Sequence, residues 1–372
     1  MVSRLMAGRF PQTGALLAMI ACLLVSCRSA PQQSAPAPEE VIPHQAPVED
    51  MAAEVPEEAG PEEEEPDLTD MDIADLPVSS FREIWAYLVD GREQSLKANY
   101  PLTDVGYFGA EIDAYGQLTG VPNPRKIAFF PGRKHMVVAC NGRALTHFVL
   151  EPDSRTRRQI ITSLVEAAAG FDGLQIDFEQ VPARDGPAFR SFLAELREKL
   201  RGKSLTIALP ARSRTLDNDV YDYRKILPLV DRILVMAYDE HWSTSAPGPI
   251  ASMAWCRRVA AYALETVGAE KLIMGLPFYG RTWGDVNVFK AFIYSSMQRI
   301  IAENKVTEIR REEGIPNFTY QIPLTVTAYY EDAYSLATRL NMYRTMRVRA
   351  VGFWSLGQET PAVWKLLNLT AD

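Results

Sequence analysis

From Phe81 onward, short apolar runs with β-forming residues alternate with longer stretches whose apolar positions recur at helical spacing. The runs predict strands at Glu83–Leu88, Asp104–Gly109, His135–Ala139, Gly173–Phe178, Ser204–Leu209, Asp231–Ala237, Lys271–Leu276 and Ala350–Ser355. Between them, Phe189, Phe192, Leu193, Leu196 and Leu200 draw one apolar face along a helix over Ala188–Leu200. Arg155–Ala168 and Trp255–Val267 show the same period. Strands separated by helices predict a parallel sheet, because a parallel pair needs a crossover long enough to hold a helix. Eight such units over residues 81–372 fit a closed α/β TIM barrel, (β/α)8, typically about 250 residues, with some insertion. An open doubly wound sheet is the competing architecture. It would carry a phosphate-binding GxGxxG after an early strand, and the chain has none. The longest connection runs from Pro277 to Arg349. It is expected to form a small insertion between strands 7 and 8, at about 284–327, with a helix around Phe289–Glu303 and a strand pair near Asn317–Thr327.

The first 80 residues follow a different pattern. Arg4 and Arg9 precede an apolar run from Ala15 to Val25, the length of a signal-peptide core and too short to span a bilayer. The run ends in Leu24-Val25-Ser26-Cys27, which looks like a bacterial lipobox. Residues 1–27 are therefore expected to be a lipoprotein signal peptide, with Cys27 the lipidated residue that attaches the protein to a membrane of the bacterial cell envelope. The alternative is a plain secretory signal with an incidental cysteine. Residues 28–80 are rich in proline, glutamate and alanine, lack aromatics, and hold fifteen acidic residues against one basic, Arg28. Such a segment buries too little apolar area to offset its ordering entropy, and its like charges repel. It is expected to be a disordered, extended linker. At roughly 3 Å per residue it would give a tethered domain tens of ångströms of reach.

The acidity behind the net charge of −8 thus belongs to the linker, and the part expected to fold is slightly basic. That excess is too small to argue for nucleic acid. Four cysteines in 372 residues exclude a disulfide-built scaffold, and Cys140 and Cys256 are expected as single buried thiols. The four histidines form no HxxH or HxxxH pair and no CxxC is present, so no metal site and no cofactor is expected.

The most informative stretch is Asp172-Gly173-Leu174-Gln175-Ile176-Asp177-Phe178-Glu179. Read with period two, Leu174, Ile176 and Phe178 take one face, and Gly173, Gln175, Asp177 and Glu179 the other. In a barrel the apolar face meets the helices and the polar face points inward. Burying an amide and two carboxyls there costs free energy unless they bond one another or act on a ligand. They fall at a strand's C-terminal end, where barrel active sites lie. Burial and a like charge both raise a carboxyl's pKa, which would let Glu179 act as a general acid near neutral pH. On the residues alone, a solvated acidic strand end or a divalent-cation site remains open.

The stretch resembles the DGxDxDxE signature of glycoside hydrolase family 18. Val235-Met236-Ala237-Tyr238-Asp239 resembles that family's Met-x-Tyr-Asp on strand six. Gly275-Leu276-Pro277-Phe278-Tyr279-Gly280-Arg281 resembles its seventh-strand segment, and Tyr329-Tyr330-Glu331-Asp332 the motif before its last helix. Gly352-Phe353-Trp354-Ser355-Leu356-Gly357 resembles its final strand, with the sugar-platform tryptophan. The likeness spans residues 81–372. It departs at Gln175, where chitinases carry a second aspartate. Spore-cortex-lytic glucosaminidases also carry an amide there. Their Tyr-Asp-Glu-His-Trp resembles Tyr238-Asp239-Glu240-His241-Trp242, and their following segment resembles Pro-Gly-Pro-Ile-Ala-Ser at 247–252.

The resemblance implies a polysaccharide substrate containing N-acetylated amino sugars, with peptidoglycan favoured and chitin or another glycan as alternatives. It also implies substrate-assisted catalysis with retention of configuration. Glu179 would protonate the leaving oxygen, the substrate's 2-acetamido oxygen would attack the anomeric carbon, and Glu179 would then deprotonate water. Asp177 would orient the acetamide and stabilise the oxazolinium charge. Tyr238 would hydrogen-bond the acetamido group, Asp239 would help hold it, and Trp354 would stack on a sugar. Gln175 replaces a carboxylate relay and joins the substrate-contact set. For Tyr87, Tyr279, Arg281 and Trp242, at strand ends or in following loops, subsite binding and plain packing stand open. Trp255 and Trp364 lie on helical patterns and read as packing residues. A lectin-like envelope lipoprotein on the same fold is the competing function, and the presence of Glu179 favours the enzyme. A monomer is expected.

Overall fold

In the computed structural model, described for residues 72–285, 294–312 and 315–370, eight parallel strands close on themselves. They are β1 (Glu83–Val89), β2 (Asp104–Ile112), β3 (Arg133–Ala139), β4 (Gly173–Asp177), β5 (Ser204–Pro210), β6 (Arg232–Met236), β7 (Leu272–Pro277) and β8 (Ala350–Trp354). Each pairs with its sequence neighbour through β7, β8 pairs with β7 and β1, and β1 pairs with β2, so the sheet is the expected barrel. The signal peptide at 1–27, Cys27 and most of the 28–80 linker lie outside the described residues.

Period-two alternation decides which side chains enter the barrel. Trp85, Tyr87, Val137, Ala208, Leu234, Met236 and Ile273 form one apolar cluster inside it. Leu174, Ile176 and Phe178 of the β4 segment face the other way into the main core, where Phe178 stacks on Phe189 and Phe192 of a helix over Gly186–Lys199. That helix buries the apolar face read from its spacing, with Phe189, Phe192, Leu193 and Leu196 fully covered. Helices over Arg155–Ala168 and Met253–Thr266 are capped by the side chains of Ser154 and Ser252.

The helical layer is less regular than the alternation implied. Between β1 and β2 only a 3-10 turn at Glu93–Ser95 forms. Between β2 and β3 there is a two-residue strand, Leu118–Thr119, folded back on β2, and a 3-10 turn at Pro124–Ile127. Proline and glycine at Gly91, Pro101, Gly116, Gly120, Pro122, Pro124 and Pro131 break any helix there. The β5–β6 connection holds only one short turn of α-helix, Tyr223–Ile226.

Two boundaries also move. The folded part begins before Phe81: Ile73–Asp75 is a 3-10 turn and Ser79–Phe81 pairs in parallel with Leu367–Leu369. Leu76 and Ser79, counted with the linker, are buried together with Phe81. The connection between β7 and β8 does hold a helix, Tyr294–Glu303, but its strands pair differently from the expected pair at Asn317–Thr327. Val326–Tyr329 runs antiparallel to Arg281–Gly284 directly after β7, and Arg310–Glu312 pairs with Ile315–Asn317. The first pairing packs Trp283 edge-on against Tyr329, which local spacing within 317–327 gives no sign of.

Candidate active site

The C-terminal ends of the strands gather the polar residues singled out in the sequence. Gln175 on β4 is fully buried. It accepts a 2.5 Å hydrogen bond from the Tyr87 hydroxyl of β1 and donates to Thr206 Oγ1 of β5 at 3.1 Å. The amide thus ties three strands together beneath the acidic pair. Gly106 makes room for this: a Cβ there would sit 2.8 Å from the Tyr87 ring.

Asp177, the last residue of β4, is buried, and its Oδ1 has no hydrogen-bond partner within the protein. Glu179 lies two residues on, in the turn after the strand, and is only partly covered. Among the described residues no cation pairs with either carboxyl. Burial, which disfavours charge, raises the Asp177 carboxyl above its ordinary range. Burial raises Glu179 too, and the neighbouring charges of Asp177 and Asp239 push it further, well above the usual glutamate value. The result is a carboxyl that keeps its proton where an ordinary one would lose it, which suits a general acid.

On β6 and the loop after it, Tyr238 is buried and Asp239 adopts a left-handed backbone conformation, φ 58°, uncommon for a residue with a side chain. Three hydrogen bonds converge on Asp239 Oδ1: from the Tyr279 hydroxyl at 2.6 Å, Arg281 Nε at 2.8 Å and Arg281 Nη2 at 2.6 Å. The Arg281 guanidinium also lies over the Tyr279 ring, and Tyr279 meets Tyr238 edge-on at 6.3 Å. Burial keeps both phenols protonated. Trp354 at the end of β8 contacts Tyr87 at 5.5 Å and stands perpendicular to Phe108 at 5.1 Å.

Tyr87, Gln175, Asp177, Glu179, Tyr238, Asp239, Tyr279, Arg281 and Trp354 therefore share one end of the barrel. In the loop that follows β6, the Trp242 indole N–H bonds Thr244, and its carbonyl accepts from the Trp283 indole at 3.0 Å. The loop that carries it is fixed at its far end, where Glu240 accepts from the N–H and hydroxyl of Ser252. Arg339, paired with Glu331 in the interior, donates to the Ala251 carbonyl. Glu331 and Asp332 thus have structural work, since Asp332 caps the helix over Ala333–Thr345. Cys140 and Cys256 are single buried thiols. Among the described residues no group of three or more His, Cys, Asp or Glu side chains is arranged to hold a metal ion, and no helix is long and apolar enough to cross a membrane.

Sequence reasoning passed over Thr206, Phe108, Trp283 and Tyr221. The last is buried in the loop after β5. Its hydroxyl donates to the Phe178 carbonyl and accepts from the Val181 N–H, both at 2.8 Å. The only available signal was position, a strand-following loop on the strand next to β4.

The profile of the glycosyl hydrolases family 18 matches residues 136–359. The putative sporulation-specific glycosylase YdhD of Bacillus subtilis (strain 168) is 33% identical over 239 residues, 60% of this chain but only 56% of that protein's length. The cortical fragment-lytic enzyme of the same organism is 27% identical over 305 residues, covering 74% of this chain and 70% of the relative. The crystal structure of the Bacillus cereus spore cortex-lytic enzyme SleL superposes with a TM-score of 0.62 at 22% identity, over 80% of this chain and 76% of that one, a likeness of fold.

Proposed function

The chain belongs to family 18 of the glycosyl hydrolases, and on that premise we propose that it cleaves β-linked N-acetylglucosamine-containing polysaccharide, foremost peptidoglycan, by substrate-assisted catalysis with retention. The observation that carries the reading is the pair of neighbouring carboxyls, Asp177 and Glu179, kept in the barrel mouth without a cation on either among the described residues. Such a pair is costly to the fold and serves an acid and an orienting base.

In this reading Glu179 gives its proton to the glycosidic oxygen as the bond to the anomeric carbon breaks. The substrate's 2-acetamido oxygen forms the new bond to that carbon, giving an oxazolinium ion. Asp177 Oδ1, without a protein partner, accepts the acetamide N–H and stabilises the positive charge. Tyr238 hydrogen-bonds the acetamido group, and Asp239 is held for its part by Tyr279 and Arg281. Glu179, now ionised, takes a proton from water as it opens the ring on the same face. Gln175 replaces a carboxylate relay with a neutral chain from Tyr87 to Thr206. Asp177 then has no carboxylate beneath it with which to share a proton. Trp354 offers a flat apolar face to a pyranose ring. Two relatives are named for sporulation or cortex lysis, and this, with the Gln175 and Tyr-Asp-Glu-His-Trp features, ranks peptidoglycan ahead of chitin.

The same reading puts the protein in a bacterial envelope, with Cys27 lipidated and residues 28–71 as a spacer. Cys27→Ser is expected to leave the protein off the membrane or unprocessed, and mass spectrometry of an unmodified mature N-terminus would refute the anchor. The activity is tested by incubating purified protein with peptidoglycan sacculi and with chitin oligomers. New reducing ends at N-acetylglucosamine, first released as the β-anomer, are expected, with no cleavage where the reactive sugar carries a free amine. Release of the inverted anomer, or cleavage of the de-N-acetylated substrate, would overturn the mechanism.

A further inference from the structure

Glu179 sits not on a strand but in a turn, and a turn needs something to hold it. The two ends of that turn are the Phe178 carbonyl and the Val181 N–H. A single atom, the Tyr221 phenolic oxygen, bonds both at 2.8 Å. We propose that Tyr221 is a positioning residue for Glu179, its hydroxyl fixing the turn that aims the acid into the barrel mouth. The inference rests on the reading of Glu179 as the acid.

Tyr221 is itself fixed at three points, as a positioning group must be. Its backbone N–H donates to Asp219 Oδ1 at 3.0 Å. Its ring meets Phe189 edge-on at 6.3 Å and lies under the Arg212 guanidinium at 6.0 Å. Arg212 is buried in an ion pair with Asp219, at 2.8 Å, so the loop of residues 211–221 is braced from within. Phe178, whose carbonyl Tyr221 holds, is clamped on its other side by Phe189 and Phe192. One wall of the turn is thus the helix over Gly186–Lys199, and the other is Tyr221. Burial keeps the phenol protonated, so it can donate to Phe178 and still accept from Val181. The charged and titratable groups acting on Glu179 are Asp177 and Asp239, with Tyr221 and Tyr238 as neutral neighbours. Tyr221 exchanges no proton with the substrate. Its effect is on where the Glu179 carboxyl stands and how well water is kept from it.

The test compares Tyr221→Phe with Tyr223→Phe. The second removes another buried hydroxyl nearby, one that donates to the Pro210 carbonyl at 2.6 Å instead of to the Glu179 turn. Tyr221→Phe is expected to lower kcat on the cleaved polymer at least about tenfold, since displacements of about 1 Å at reacting groups cost on the order of 10²-fold. KM should stay within about twofold, and Tyr223→Phe should hold kcat within about twofold at a similar loss of melting temperature. In a Glu179→Gln background, adding Tyr221→Phe should cost no more turnover. An unchanged kcat in Tyr221→Phe, or an equal further loss in the Glu179→Gln background, would overturn the assignment. A carbon-13 titration of the Glu179 carboxyl gives a readout independent of turnover. Its pKa is expected to fall toward the ordinary range in Tyr221→Phe, as the loosened turn admits water, and to stay put in Tyr223→Phe. If the wild-type protein cleaves no such polymer, the functional reading fails, and the titration still decides whether Tyr221 governs Glu179. An unshifted titration would reject it.

Discussion

The two ends of the barrel both bury carboxyls inside the same sheet, and they treat them in opposite ways. At the floor, Asp104 and Glu83 start β2 and β1. Asp104 is fully buried and pairs with His135 at 2.7 Å and with Arg133 through both oxygens. Glu83 takes Arg232 at 2.7 Å and the Trp85 indole at 3.2 Å. Trp85 in turn lies over the His135 ring at 4.4 Å, and this network lines a cavity of about 330 Å³. Burial alone would raise the Asp104 carboxyl, but the bonds from His135 and Arg133 outweigh it and hold the group below its ordinary value. At the mouth, Asp177 is buried and Glu179 partly covered, neither has a cation among the described residues, and both move upward. Depth does not separate the two ends, since Asp104 and Asp177 are both buried. Pairing does. A buried carboxyl with its cation supports the fold, whereas one left without a cation costs stability and is kept for another use.

The comparison can be broken at either end. The largest expected effect is at the mouth: Glu179→Gln should cut turnover by on the order of 10²–10⁴ with the fold and sugar binding kept. Steady-state kinetics beside a binding titration check this, and near-wild-type turnover would remove Glu179 from the mechanism. Next is the floor: Asp104→Ala leaves the buried His135 without its acceptor and Arg133 with Glu83 alone, and should cost about 3 kcal/mol in denaturant unfolding, while kcat of the folded fraction holds. A smaller effect is expected of Arg281→Lys, which loses the fork on Asp239. A loss of roughly fivefold in kcat/KM is expected, with the melting temperature little changed.

The smallest effect is the sharpest on sign. Asp177 is raised in the fold, so it contributes stability below its unfolded pKa and loses it as pH rises through the raised value. Asp177→Asn should therefore melt a few degrees higher than wild type at neutral pH, and the gain should vanish below the ordinary carboxyl range. Asp104 is lowered, so its contribution is present above the unfolded pKa and is lost as pH falls through the folded one. In Asp104→Ala the deficit should accordingly shrink on acidification. Melting curves across pH for both variants check the pair, and the same sign at both ends would end the distinction.

Some of this could be read directly from the chain. Short runs of β-forming residues marked the eight strands, and spacing of two the inward face of Gln175 and Asp177. Spacing of three and four gave the apolar face of Phe189, Phe192, Leu193 and Leu196. Both follow from backbone geometry, which a local pattern reports. What local pattern cannot report is which inward residue meets which, because closure of the barrel decides that. Tyr87 reaches Gln175 across 88 residues, Arg281 reaches Asp239 across 42, and Arg232 reaches Glu83 across 149. The acid pair was legible because its two members lie two residues apart. Tyr221 was not, because a tyrosine in Val-Tyr-Asp-Tyr reads as packing until β5 is laid beside β4. The sequence by itself determined which residues are polar, inward and near a strand end. Only the tertiary structure decided which carboxyls found a cation there and which were left without one, because pairing depends on contacts between distant segments that no local period encodes.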